Sequence, residues 1–239
     1  MTTFVLVHGS WHDGAAWQAT CAHLHAAGHR TYTPTLAGHG HDVDKRVTHA
    51  DCTRSLADFI EQHDVRDFVL VGHSFAGTVI AKLAEMMPDR IRRLVFWNAF
   101  VLQHSESLMD NVPPRYREMF EHLVTAERTV MLPFAVWRDA FMNDASLELA
   151  QTTYATLSPE PYQPFIDQLD LQRFFTLEIP RSYLNCTEDT ALPPGEWGWH
   201  PRMSNRLGVY RLVQMAGGHE VLFTNPEGLA AKLIETGRD

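Results

Sequence analysis

The chain has 239 residues, 45% of them apolar, and a formal charge of −9. This suits one α/β domain with a sizeable core and excludes a disordered chain. The acidic balance argues against nucleic acid or an anionic membrane as a partner.

Residues 4–7 form a continuous apolar run, read as a strand buried on both faces of a parallel sheet. A loop with His8, Gly9, Ser10, Trp11 and His12 follows, then a helix over 16–27 closed by Gly28. Residues 30–34 make a second strand, and a loop rich in glycine and histidine leads to a helix over 48–62. Residues 68–71 are the third strand. It ends in Gly72-His73-Ser74-Phe75-Ala76-Gly77, and a helix over 78–87 follows. Residues 91–97 are the fourth strand.

From 102 to 175 no good buried strand is found. The segment carries Met, Phe, Trp and Tyr throughout, with short helices expected at 118–126, 137–142 and 146–156. It is expected as a helical lid inserted in a core formed by 1–101 and 176–239. Strands return at 180–186 and 209–215, with a partly helical stretch over 197–206 between them and a last helix over 226–236. The alternation predicts a mostly parallel, doubly wound sheet of about six strands, with functional groups at the strands' carboxyl ends.

Ser74 stands where a nucleophile would. A strand delivers it to the sheet edge, and a tight turn flanked by small residues exposes its hydroxyl. The pattern is G-x-S-x-A, which alanine's single methyl still allows. A serine needs a base, a group that orients the base, and oxyanion donors. His219 follows the last strand after Gly217-Gly218 and is the candidate base. Asp189, in the loop after the preceding strand, is the candidate orienting acid. Glu188 is its adjacent competitor, and the shorter side chain of Asp189 suits a fixed bond to imidazole better. The expected oxyanion donors are the main-chain N–H groups of Phe75 and Ser10, worth roughly 3 kcal/mol each. His39-Gly40-His41-Asp42 lacks a metal-ligand spacing and is read as a structural or pocket-rim loop, so no metal is expected. His73 is read as a filler of the turn. Cys21, Cys52 and Cys186 follow no metal or redox spacing and are read as buried thiols.

With these elements the chain resembles the α/β-hydrolase superfamily over nearly its whole length, and the order Ser, Asp, His agrees. More narrowly it is similar to the branch of plant methyl esterases, salicylate-binding esterases and hydroxynitrile lyases. His8 to His12, Trp17 and the stretch from Tyr183 through Asp189 to Leu192-Pro193 carry that likeness. The lyases of the branch have a threonine where this chain has Gly9 and a lysine where it has Glu220. The resemblance therefore implies a serine esterase, cleaving a small to medium apolar carboxylic ester through an acyl-enzyme, with no cofactor. The substrate pocket is expected to include Trp11, His12, Phe100, Met119, Phe134 and Trp137. Alternatives are the same fold running lyase or cofactor-free oxygenase chemistry with His219 as base, or a ligand receptor derived from a hydrolase. The expected partners are the small-molecule ester and, at most, a second copy as a homodimer. No basic leader precedes the first strand and no apolar run nears ~20 residues, so a cytoplasmic location is expected.

Overall fold

A computed structural model describes residues 1–238 of the chain. The strands are β1 (Thr3–Val7), β2 (Arg30–Tyr32), β3 (Phe68–His73), β4 (Ile91–Trp97), β5 (Thr129–Val130), β6 (Glu160–Pro161), β7 (Arg181–Cys186) and β8 (Arg211–Met215). Six of them form one sheet in the order β2-β1-β3-β4-β7-β8, with every neighbouring pair parallel.

The apolar runs alternate their allegiance, as a two-sided sheet requires. Phe4, Leu6, Val69 and Val71 pack with Trp17, Leu24, Leu229 and Leu233. These last belong to or adjoin helix α1 (Gln18–Ala26) and the last helix, residues 226–236. Val5, Val7, Phe68 and Leu70 face the other way, onto Leu56, Ile60, Val79 and Ile80 of α2 (His49–Gln62) and α3 (Ala76–Met86). Thr48 caps α2 and exchanges bonds with Asp51, two orphan donors satisfied reciprocally.

Residues 102–175 add no strand to the main sheet. They supply α4 (Pro114–Leu123), α5 (Phe134–Val136), α6 (Leu147–Tyr154) and α7 (Gln163–Ile166). They also contain the antiparallel ribbon β5–β6, which the sequence did not reveal because two residues per strand carry no readable period. The helix expected at 118–126 begins earlier, since Pro114 sits naturally in a first helical turn. The stretch expected at 137–142 is a π-helical turn, Trp137–Phe141. The partly helical 197–206 resolves into Trp199–Met203 and Ser204–Leu207. β2 stops at Tyr32, short of Pro34, which cannot donate to a ladder. The chain closes with α8 (Val221–Thr224) and α9 (Pro226–Thr236), the latter capped by Asn225 with Pro226 at its first position.

β1 and β3 are neighbours although the chain visits β2 between them. Connections depart to opposite sides there, and a crevice opens outside the carboxyl ends of the strands.

Candidate active site

Ser74 follows β3 directly with φ 54°, a left-handed conformation that costs a non-glycine residue energy and so needs support. Its N–H donates to Trp97 O at 3.2 Å, and its carbonyl accepts from Gly77 N and Phe100 N, both at 3.1 Å. The small neighbours are required by contact. A Cβ on Gly72 would lie 2.8 Å from Ala76 O, and one on Gly77 would lie 2.4 Å from Phe100 O. Ala76 itself is accommodated, fully buried.

The loop after β1 arrives at the same place. A Cβ on Gly9 would lie 3.2 Å from Ser74 Cβ and 2.9 Å from His73 Nδ1, so the loop backbone lies against the nucleophile turn. His8 Nδ1 donates to Gly9 O at 2.9 Å while its Nε2 accepts from Leu36 N at 3.1 Å, which defines a neutral tautomer. Burial, then the neighbouring His39, push the His8 pKa well down, consistent with that tautomer. The N–H groups of Ser10 and Phe75 have no backbone acceptor among the described residues.

His219 follows β8 through Gly217-Gly218. Its Nδ1 lies 2.6 Å from Asp189 Oδ2, and both side chains are buried. Glu188 is exposed, so the acid beside the imidazole is Asp189. Two further contacts fix the ring and one its backbone: Trp199 stacks on the ring at 5.3 Å, Phe141 meets it edge-on at 5.2 Å, and His73 Nε2 donates to the main-chain His219 O at 3.1 Å. Burial alone would lower the His219 pKa. The Asp189 charge and hydrogen bond, with the Glu220 carboxylate, outweigh it and raise the pKa. His73, buried beside His219, is pushed well down and stays neutral.

Asp189 has its own supports, which sequence reasoning missed. Ala191 N donates to its Oδ1 at 2.8 Å, and the Asn98 amide donates to its Oδ2. Asn98 also accepts from Cys186 N at 2.7 Å, tying the ends of β4 and β7 together. Tyr183 Oη donates to Ala99 O and accepts from Ala99 N. A polar residue at the carboxyl end of the strand next to Ser74 was the available signal for Asn98.

Ser10, Ser74 and His219 line one narrow apolar cavity, walled by Trp11, Phe100, Tyr116, Phe120, Phe141, Phe165 and Trp199 among others. Four residues expected in this wall lie elsewhere. Met119 is on α4 with Tyr116 and Phe120. Those two are four residues apart and share the inner face, so Met119 turns to an outer groove. Phe134 packs on Tyr154 at 5.2 Å. Trp137 sits one layer back, stacked on Phe141 and donating to Ala150 O. His12 turns away from the cavity, its Nε2 3.2 Å from the Glu220 carboxylate. His39 and His41 diverge: the first is buried against Glu160, the second is exposed. All three cysteines are buried free thiols.

The Alpha/beta hydrolase family model matches residues 4–232, and the chain belongs to that family. Among solved structures it is similar to an extracellular α/β-hydrolase from a Paenibacillus species, described as sharing structural and functional homology with tobacco salicylic acid-binding protein 2. Identity to it is 44% and the TM-score 0.98, covering 100% of both chains. Salicylic acid-binding protein 2 of Nicotiana tabacum is 29% identical over 97% of this chain and 95% of its own length. A carbendazim hydrolyzing esterase of Nocardioides sp. is 43% identical over 116 residues, 47% of this chain and 48% of that protein. No helix among the described residues is long and apolar enough to cross a membrane. The Paenibacillus relative's extracellular description gives no support to the cytoplasmic location expected from sequence.

Proposed function

We propose that this α/β-hydrolase is a serine carboxylesterase acting on a small to medium apolar ester. The observation that carries the proposal is that Ser74 on its strained turn, Ser10 and His219, held by Asp189, line one cavity, with the N–H groups of Ser10 and of Phe75, the residue after Ser74, free of backbone acceptors.

Ser74 Oγ attacks the ester carbonyl while His219 Nε2 takes its proton. Asp189 keeps Nδ1–H pointed at itself and stabilises the imidazolium that forms. The carbonyl oxygen, now an oxyanion, accepts from the Ser10 and Phe75 N–H groups. His219 then protonates the departing alkoxide, leaving an acyl-Ser74 ester. Water, deprotonated by the same imidazole, attacks that ester, and collapse of the second oxyanion releases the acid and restores the serine. An apolar wall favours an apolar acyl or alcohol group, since burial there removes hydrocarbon from water. Glu220 brings no cation to a leaving cyanide, which argues against lyase chemistry.

Ser74→Ala is expected to abolish turnover of 4-nitrophenyl acetate and labelling by a serine-directed fluorophosphonate. Steady-state turnover that survives the substitution would falsify the nucleophile assignment.

A further inference from the structure

Behind the proposed oxyanion hole lies a buried pair that the mechanism above does not use. Glu160, on β6, is fully buried, and its Oε1 is 3.0 Å from His39 Nε2. Its Oε2 accepts from Trp11 N at 2.6 Å. His39 Nδ1 faces Ala37 O at 3.0 Å, so both ring nitrogens meet acceptors. Against an ionised Glu160, only an imidazolium can satisfy both. Burial opposes that charge, but Glu160 outweighs it and holds the His39 pKa up at about 10.

Trp11 is the residue after Ser10 and has φ 63°, a conformation unfavourable for a bulky aromatic. Such a residue persists only where its surroundings over-determine it. Here all three of its polar groups are held by the 130–160 segment: its N–H by Glu160, its indole N–H by Val130 O at 3.1 Å, and its carbonyl by Ser158 N at 2.9 Å. The N–H that Glu160 holds belongs to the Ser10–Trp11 peptide. Fixing that peptide fixes ψ of Ser10, and so steadies the neighbouring peptide that carries the Ser10 N–H. On the other side, the His39 ring stacks on Phe75 at 5.9 Å and 22°. One ion pair thus touches Phe75 and Trp11, the residue that follows Ser10. Its neutrality matters too, because an uncompensated buried carboxylate there would oppose the charge developing on the oxyanion.

We propose that Glu160 and His39 are positioning residues for the oxyanion hole, and that docking of the β5–β6 ribbon against Trp11 is what sets the donor geometry. The proposal rests on the assignment of the Ser10 and Phe75 N–H groups as oxyanion donors at a Ser74 site. A mere latch for the ribbon would affect stability alone; a positioning pair must affect the transition state more than the bound ester.

The test uses the full chain and its Glu160→Gln and His39→Gln variants. Measured on each, per titrated active site, are kcat and KM for 4-nitrophenyl acetate and the inhibition constant of an aryl trifluoromethyl ketone. The hydrated or serine-added ketone mimics the tetrahedral oxyanion. For folded Glu160→Gln, kcat is expected to fall about tenfold or more, with KM within about twofold. The ketone should weaken by the factor lost from kcat/KM. A variant that melts earlier yet keeps kcat and ketone affinity within about twofold of the parent overturns the positioning role. If Glu160→Gln does not fold, His39→Gln, whose amide can still donate to Glu160, decides by the same criteria. Ser74→Ala separates the two layers: an inactive Ser74→Ala beside an unaffected Glu160→Gln sinks only the positioning pair. An active Ser74→Ala sinks the site assignment itself.

Discussion

His219 is held between opposing influences, and their balance sets the acid limb of activity. Burial disfavours its cation, while Asp189 and then Glu220 favour it, for a net rise above the ordinary 6.5. As the proposed base it must be neutral to accept the Ser74 proton, and a raised pKa keeps the ring protonated to higher pH. The low-pH fall in kcat/KM should therefore have its midpoint above 6.5. Glu220→Gln removes one of the raising carboxylates and should move that midpoint down. A pH–rate profile with a midpoint below 6.5, or one that rises in the variant, contradicts this assignment of charges.

That Ser74, Asp189 and His219 meet was legible because backbone topology places them. Each follows the carboxyl end of a strand that its own apolar run announces, so sequence order alone brings them to one edge. The cavity wall was not legible in the same way. Its position depends on the rotational phase of short helices, and a shift of one residue on α4 exchanges Met119 for Phe120. Trp199 and Phe141, which grip the imidazole, come from irregular or π-helical turns whose faces no simple period defines.

At the scale of elements, the tightest junction is the β3–α3 turn. Gly77 approaches the Phe100 carbonyl so closely that an added methyl would meet backbone at 2.4 Å and the Ala99 methyl at 2.9 Å. Neither neighbour can swing aside as a flexible side chain would. Gly77→Ala is expected to destabilise the fold by about 1–3 kcal/mol, as overpacking does. In a chain of this length that lowers Tm by roughly 2–4 °C per kcal/mol. Gly28→Ala serves as a contrast, since no atom lies near its Cβ and only its φ of 81° resists the change. Thermal unfolding followed by circular dichroism checks both; a Gly77→Ala protein as stable as the parent would mean the turn relaxes freely. The elements most visible in sequence were those with caps or long runs, such as α2 and β4. The β5–β6 ribbon, with no such marks, lies in the segment that holds Trp11.

For the whole molecule, the 102–175 segment and the sheet share one apolar core. Leu70, Phe75 and Val79 of the sheet side pack in the same cluster as Phe120, Trp137 and Phe165. A segment so joined has little hydrophobic interior of its own to sustain it. The chain should therefore unfold in one cooperative step, with far-ultraviolet dichroism and tryptophan fluorescence giving the same midpoint. Separate midpoints would show that the segment melts independently of the sheet. The opposite face of the sheet, packed by α1 and α9, is remote from the cavity and serves to hold the strand ends in register.

The proposed chemistry rests on a covalent bond at Ser74. The most direct measurement is intact mass spectrometry of protein acid-quenched during turnover of 4-nitrophenyl acetate, followed by peptide mapping. A gain of one acetyl group, located on Ser74 and missing from Ser74→Ala, is the expected result. Full turnover with no acyl-enzyme in the quenched parent, joined with activity retained by Ser74→Ala, would contradict it.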